Sequence, residues 1–154
     1  MPVERNPSSY RLRIGRYSES GRIYLLTSNT HERRSLFSDL QLGRLVVREM
    51  RELQARGMAE TLAWVLMPDH LHWLVQLQDV ELSELMRRLK SSSSRAIKRT
   101  TLLKEPVWQS GYHDRALRRD EDIRLVARYV VSNPLRAGLV QSLSDYSLWD
   151  AVWL

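Results

Sequence analysis

The sequence predicts an α+β domain, and two observations support this prediction. Segments with the alternating or continuous apolar pattern of strands are interleaved with segments whose apolar residues recur at the three-to-four-residue spacing of helices. The chain has 154 residues, a length that a single domain with one core accommodates. We therefore expect one domain over 1–154, with a lead segment at 1–20, a core at 21–140 and a tail at 141–154.

The amino-acid composition excludes some classes of protein and favours others. Lysine and arginine number 24 against 18 acidic residues, and this net charge of +6 suits a polyanionic partner. The chain has no cysteine, which excludes disulfides and thiolate zinc sites. Its first residues lack the apolar stretch of a secretory signal, and no apolar run approaches the roughly 18 residues of a membrane span. We expect a cytoplasmic protein without a membrane partner.

The first strand and helix follow from local patterns. Arg22 to Ser28 is rich in residue types that favour a pleated strand. Ser38 followed by Gln41 predicts a capping box at the start of a helix that Gly57 ends. The apolar positions of that helix recur at helical spacing, and they are Leu42, Leu45, Val46, Met50 and Leu53.

A β-hairpin with two histidines comes next. Thr61 to Met67 is a continuous apolar strand, and Pro68-Asp69 turns the chain into a second strand that begins at His70. Because side chains alternate along a strand, His70 and His72 point to one face. The opposite face is apolar and consists of Leu71, Trp73, Val75 and Leu77.

The remaining elements complete the fold prediction. A helix begins at Leu82, and the serine run at 91–94 is expected to loosen it. A strand follows at 108–117 with a bulge at Gly111, and a last helix runs from near Asp120 to Asn133. The order β-α-β-β-α-β-α matches the ferredoxin-like split βαβ fold. This fold is an antiparallel four-stranded sheet with helices on one face, and we place the C-terminal, tyrosine-bearing helix near the open face.

The candidate chemistry lies on that open face. Two imidazoles side by side on a strand form half of a divalent-metal site. Tyr129 and Asn133 are four residues apart and share one face of the last helix. If this helix crosses the open face, the Asn133 amide and the Tyr129 phenol reach the histidine pair. Taken singly, each feature has an ordinary structural interpretation: a surface His-x-His, a packing tyrosine, and an asparagine that ends a helix before Pro134.

Two segments resemble a known family. His70-Leu71-His72 resembles the histidine-hydrophobic-histidine motif of single-strand DNA nucleases and transposases, the HUH endonucleases. The segment from Arg128 to Val140, with Tyr129 and Asn133-Pro134, is similar to the tyrosine segment of the IS200/IS605-like single-tyrosine transposases. Within that group it most resembles the REP-associated tyrosine transposases, which occur with bacterial palindromic repeats. The resemblance extends from about Arg13 to Trp149.

This resemblance implies an activity and a set of site residues. It implies a divalent metal, Mg²⁺ or Mn²⁺, held by His70, His72 and Asn133, and a Tyr129 that attacks a DNA phosphate. The product is a 5′-phosphotyrosine and a free 3′-hydroxyl, from which strands can be rejoined. A tyrosine side chain titrates near pH 10, so forming a phenolate at pH 7 costs about 4 kcal/mol, and a metal offsets this cost by stabilising the developing charge.

The resemblance also implies the partner, a single-stranded DNA with a REP-like hairpin. By the family pattern, Arg11, Arg13 and Arg16 of the basic lead segment contact bases beside the hairpin. Further candidates for phosphate contacts are Arg87, Arg88, Arg95, Lys98, Arg99, Arg115 and Arg118. The REP-associated branch favours a monomer, whereas the wider family forms homodimers. Two other functions stay open at this stage, a non-catalytic nucleic-acid-binding module and a metal phosphoesterase that activates water.

Overall fold

The computed structural model describes residues 21–118 and 121–152, in which five strands form one antiparallel sheet with the order β4-β1-β3-β2-β5. The strands are β1 (Ile23–Asn29), β2 (Ala59–Met67), β3 (His70–Leu77), β4 (His113–Ala116) and β5 (Trp149–Ala151). The helices are α1 (Leu40–Ala55), α2 (Leu82–Thr100), α3 (Ile123–Val131) and α4 (Asn133–Arg136). The predicted α+β fold is confirmed, with one strand more than expected.

The main core lies between one face of the sheet and helices α1 and α2. All four apolar β3 side chains predicted for this face are buried, and Trp73 at its centre is 0 % exposed. Its indole nitrogen donates to Thr61 Oγ1 at 2.9 Å, so the one polar atom of the ring is satisfied. Burying side chains of this size stabilises the fold by about 1.5–3 kcal/mol each, which fixes the register of β3.

The opposite face of β3 carries the histidines, and helix α3 packs on this face. Ala127, Val130 and Val131 are buried there in a second apolar cluster. Its sheet side is formed by Ala63, Val65, Met67, Leu74 and Ala151, which belong to β2, β3 and β5. The tyrosine-bearing helix therefore lies on the histidine face, as predicted.

Two predicted local features of the helices are wrong. The side chain that caps α1 is Asp39, which accepts a hydrogen bond from the Gln41 amide at 3.0 Å, because Ser38 is already part of a 3₁₀ turn. The serine run does not loosen α2, which is continuous from Leu82 to Thr100. The Ser92 and Ser93 hydroxyls donate to carbonyls four residues earlier within the helix, and therefore need no other partner.

The predicted strand at 108–117 is shorter in the structure. Gly111 adopts a positive φ of 78°, so the chain turns there and regular pairing with β1 begins only at His113. Trp108 makes a single bridge to Thr30 and is buried, with its indole nitrogen bonded to Ser93 Oγ at 3.0 Å. Trp108 is therefore a core residue.

The additional strand β5 comes from the segment predicted as a C-terminal tail. Trp149, Asp150 and Ala151 pair with the outer edge of β2. The Tyr146 hydroxyl donates to the Leu66 carbonyl at 2.6 Å and anchors the approach to this strand. In the part of the chain that the structure describes, no helix combines the length and apolar character needed to cross a membrane.

Candidate active site

His70 and His72 form an imidazole pair on β3. Their ring centroids are 4.8 Å apart and the ring planes are nearly perpendicular, at 84°. Both side chains are partly buried beside Met67 and Val65, their direct partners on β2. The alternation of the strand thus places the two rings together, as the sequence predicts.

One nitrogen of each ring is held by an oxygen. His70 Nδ1 is 2.8 Å from Asp69 Oδ1, and His72 Nδ1 is 3.0 Å from Thr27 Oγ1. A carboxylate only accepts, so His70 Nδ1 carries the proton of that bond. When His72 Nδ1 likewise donates to Thr27, both Nε2 atoms keep their lone pairs, the state in which histidine binds a metal.

The electrostatics of the pair favour this state. Burial, supplemented by the charges of His70 and Arg136, lowers the pKa of His72 to about 4, so the ring is neutral at pH 7. Burial works against ionisation of Asp69, but hydrogen bonds and charges from His70 and Arg33 outweigh it and lower the pKa of this carboxyl. An ionised Asp69 is the stronger acceptor for His70, and Arg33 fixes it from the other side at 3.0 Å.

The predicted ligand Asn133 lies just after the end of helix α3, in a segment that contacts strand β2. The chain passes through Ser132 into the short helix α4, which begins at Asn133 and contacts β2. The β2 residues Val65 and Met67 are the direct neighbours of His72 and His70. The Asn133 side chain is half-buried, and its carboxamide oxygen has the chemistry of a neutral metal ligand.

Tyr129 differs from the other tyrosines that the structure describes. It is 61 % exposed, whereas Tyr24 is buried and Tyr112 is half-buried. The half-buried Tyr146 is tied to the Leu66 carbonyl, and burial raises the pKa of Tyr146 to about 12. Tyr129 is therefore the described tyrosine whose hydroxyl a substrate can reach.

Three further residues lie around this site and were not predicted from the sequence. The contact of Thr27 with His72 follows only from the register of the sheet. The two residues are 45 positions apart in the chain and lie opposite each other on paired strands. Asp69 adjoins His70, so its role could have been proposed from the Asp-His pair. Arg136 stacks on the Tyr129 ring, and its position seven residues away gave no direct signal.

The predicted DNA-binding residues fall into separate places. Arg11, Arg13 and Arg16 lie outside the described residues. Arg87 and Arg88, on the outer side of α2, both pair with Glu84 at 2.8 and 2.7 Å, and this also lowers the pKa of Glu84 to about 2 through hydrogen bonds from both arginines. These two arginines are thus already paired with an acid, on the sheet side away from the histidines.

Two of the predicted arginines adjoin the histidine face. Arg115 lies on β4, opposite Leu25 of β1, and is held by Glu121 at 3.0 Å. Arg118 is exposed just after this strand, and its backbone nitrogen donates to the same glutamate at 3.2 Å.

The other predicted cations line a groove of about 800 Å³ between α2 and the segment 104–111. The predicted Arg95, Lys98 and Arg99 come from the helix, and Lys104, which was not predicted, comes from the loop after it. None of these four side chains has an ion pair with a residue of 21–118 or 121–152. The groove lining includes no acidic residue.

The residues at the histidine pair fit a divalent metal. Within the described ranges, no cluster of three or more histidine, cysteine, aspartate or glutamate side chains could hold an ion. A site here would therefore combine the two Nε2 atoms with a ligand of another type, for which the Asn133 amide is suited. Imidazole together with an amide oxygen and substrate oxygens suits Mn²⁺ or Mg²⁺.

Comparison with known proteins shows the family of the chain. The sequence model of a family described as "Transposase IS200 like" matches residues 20–133, a range that includes both histidines and Tyr129. A REP-associated tyrosine transposase of Escherichia coli (strain K12) is 30 % identical over 133 residues, covering 85 % of this chain and 77 % of that protein.

Two solved structures have a similar fold. A REP-associated tyrosine transposase bound to a REP hairpin superposes with a TM-score of 0.69 at 25 % identity, covering 87 % of this chain and 79 % of that one. A putative transposase from Deinococcus radiodurans R1 has a TM-score of 0.56 at 22 % identity, covering 77 % of this chain and 95 % of that one. The second similarity concerns the fold alone.

Proposed function

Because this chain belongs to the IS200-like transposase family, and within it to the REP-associated tyrosine transposases, we propose that it cleaves and rejoins single-stranded DNA next to REP-like hairpins. The observation that carries this proposal is the packing of the tyrosine-bearing helix across the sheet face where two histidines present free Nε2 atoms.

In the proposed reaction, the Tyr129 hydroxyl attacks the scissile phosphorus. A bond forms between the tyrosine oxygen and phosphorus while the bond from phosphorus to the 3′-oxygen breaks. The phenol loses its proton and the departing 3′-oxygen gains one, which leaves a 5′-phosphotyrosine and a 3′-hydroxyl. Attack by a 3′-hydroxyl on the phosphotyrosine reverses these changes and joins strands without ATP.

The protein's own groups prepare this step. His70, His72 and Asn133 would hold Mg²⁺ or Mn²⁺, which when bound supplies electrostatic stabilisation of the charge that develops on the phosphate. Asp69 and Thr27 contact the Nδ1 atoms of the two imidazoles and thereby hold the orientation of the rings. The exposure of Tyr129 allows a DNA strand to approach its hydroxyl from solvent.

Capture of the covalent intermediate tests this proposal. A hairpin oligonucleotide labelled at its 3′ end should give a labelled protein band on a denaturing gel with Mg²⁺ or Mn²⁺. The same DNA labelled at its 5′ end should give a free fragment with a 3′-hydroxyl. Excess EDTA should abolish both products, because the proposed step needs the metal.

The other outcomes identify the rival functions. Cleavage without any labelled protein band would show a phosphoesterase that uses activated water. Binding of the hairpin without cleavage under either metal would show a non-catalytic module. Either result would contradict the proposed mechanism, although each is compatible with the family fold.

We further propose that the groove of four unpaired cations follows the phosphates of the same DNA. Gln109, in the loop wall of the groove, donates its backbone amide to the Asn29 carbonyl at 2.9 Å, and Asn29 lies opposite His70. The groove therefore reaches the sheet end where the histidines begin. A cation without an acidic partner is available to neutralise a DNA phosphate. The DNA then releases the counterion that was bound at that phosphate, and this release favours binding.

Salt dependence of binding distinguishes this groove from the rest of α2. Replacing Arg95, Lys98 and Arg99 together by glutamine should lower hairpin affinity and reduce the slope of log affinity against log salt by about 2. The matched control is the double variant Arg87→Gln and Arg88→Gln, whose arginines are paired with Glu84 and should matter little. An equal loss in both variants, or an unchanged slope in the triple variant, would refute the groove as a phosphate track.

A further inference from the structure

Arg136 lies directly beside the proposed nucleophile, Tyr129. Its guanidinium carbon lies 3.8 Å from the centroid of the Tyr129 ring, in cation–π contact. The same side chain donates through Nη1 to the Tyr129 carbonyl at 2.7 Å and to Ser132 Oγ. These contacts hold the arginine, although it is exposed, in one place beside the tyrosine.

Arg136 is the last residue of the short helix α4, which begins at Asn133 and contacts β2. Strand β2 pairs with β3, the strand that carries the histidines. Arg136 thus lies beside the exposed phenol, on a helix that contacts the strand next to the histidine strand.

The hydrogen bonds of Arg136 leave part of its guanidinium without a partner in the described residues. Both hydrogen bonds of the guanidinium use Nη1, and Nε and Nη2 make no hydrogen bond to a residue in the described part of the chain. A guanidinium offers paired N–H groups in the geometry that a phosphate accepts. Its stacked plane is already ordered, so less side-chain entropy is lost when an anion binds.

Charge balance points to the same ligand. The proposed reaction brings the arginine beside Tyr129 and a divalent cation to one phosphate, and two positive charges in one site are unfavourable unless an anion lies between them. The carboxylate nearest to the histidines, Asp69, is already bound by His70 and Arg33. The anion would therefore come from outside the described residues.

We propose that Arg136 binds the scissile phosphodiester itself, with Nε and Nη2 directed at its non-bridging oxygens while the stacked ring of Tyr129 lies beside the phosphorus. Arg136 would then be a catalytic residue that contacts the reacting phosphate, and a specificity element for the charge of that phosphate. This inference rests on the proposed cleavage by Tyr129, since it assigns the phosphate to the same site.

The test measures DNA binding in a variant that cannot cleave. In a Tyr129→Phe background, which keeps the ring for stacking, hairpin DNA with a normal scissile phosphate is compared with DNA carrying an uncharged methylphosphonate there. With Arg136 present, the charged DNA should bind about tenfold more tightly, as expected for a charged hydrogen bond. Arg136→Gln should remove this preference. Arg136→Lys should keep a part of it, because lysine retains the charge but not the planar fork.

A neighbouring arginine supplies the control. Arg128→Gln removes an exposed positive charge one residue from Tyr129 and should leave the preference for the charged phosphate unchanged. If Arg136→Gln also leaves it unchanged, Arg136 does not contact the scissile phosphate and the inference is wrong. This comparison measures binding alone, so its failure is separate from failure of the wild-type protein to cleave.

Discussion

Tyr129→Phe is expected to abolish cleavage and covalent capture while leaving hairpin affinity near that of the wild type. The substitution removes one oxygen from an exposed side chain, so the packing of Ala127, Val130 and Val131 beneath the helix stays intact. Loss of an attacking nucleophile usually lowers the rate by several orders of magnitude, and we expect a loss of at least about 10³-fold. Single-turnover assays with 3′-labelled hairpin DNA would measure this loss.

Tyr146→Phe provides the matched control. It also removes one phenolic oxygen, but from a half-buried ring whose hydroxyl donates to the Leu66 carbonyl. This variant should lose about 1 kcal/mol of unfolding free energy and still form the adduct. A labelled adduct that persists in Tyr129→Phe would assign the nucleophile elsewhere, with Tyr10 and Tyr17 of the undescribed lead segment as the next candidates.

His72→Ala is expected to remove metal-dependent cleavage. Replacing the partner of a metal-binding histidine alone costs about 10–100-fold in metal affinity or activity, so loss of the ligand itself should exceed about 100-fold. The measurement is a Mn²⁺ titration of the cleavage rate, with direct Mn²⁺ binding followed by electron paramagnetic resonance. The second readout detects the site independently of chemistry.

Thr27 allows the orientation of His72 to be tested separately from its presence. Thr27→Val keeps the side-chain shape and removes the hydroxyl 3.0 Å from His72 Nδ1, so Mn²⁺ affinity should fall by about 10–100-fold. Thr27→Ser retains a hydroxyl and should recover most of the affinity. Equal Mn²⁺ affinity in wild type, Thr27→Val and His72→Ala would exclude His72 as a ligand.

The hairpin that carries the histidines was predictable from the sequence because its signals are local. Alternation from His70 to Leu77 and the turn residues Pro68-Asp69 determine both the fold and the face of each side chain. Strand β5 was not predictable in this way. Its three residues are too short for a periodic pattern, and its pairing depends on an edge of β2 that only the folded sheet presents.

In the candidate site, too, local features were predictable from the sequence and contacts between distant segments were not. The spacing of Tyr129 and Asn133 predicts one face of one helix, but α3 ends at Val131 and Asn133 begins α4. The packing of α3 on the histidine face of the sheet depends on tertiary contacts that spacing alone does not determine. The pairing of Arg87 and Arg88 with Glu84 could have been anticipated from spacings of three and four residues. The contact of Thr27 with His72 could not, because it joins two strands through their register.

The short outer strands of the sheet have a consequence for recognition. β4 has four residues and β5 has three, so neither border of the sheet offers a long row of unpaired peptide groups to another polypeptide. Charged side chains at these borders, such as Arg115 and Asp150, further discourage strand addition by a foreign chain. Association with another polypeptide by addition of a strand at either border of this sheet is therefore disfavoured.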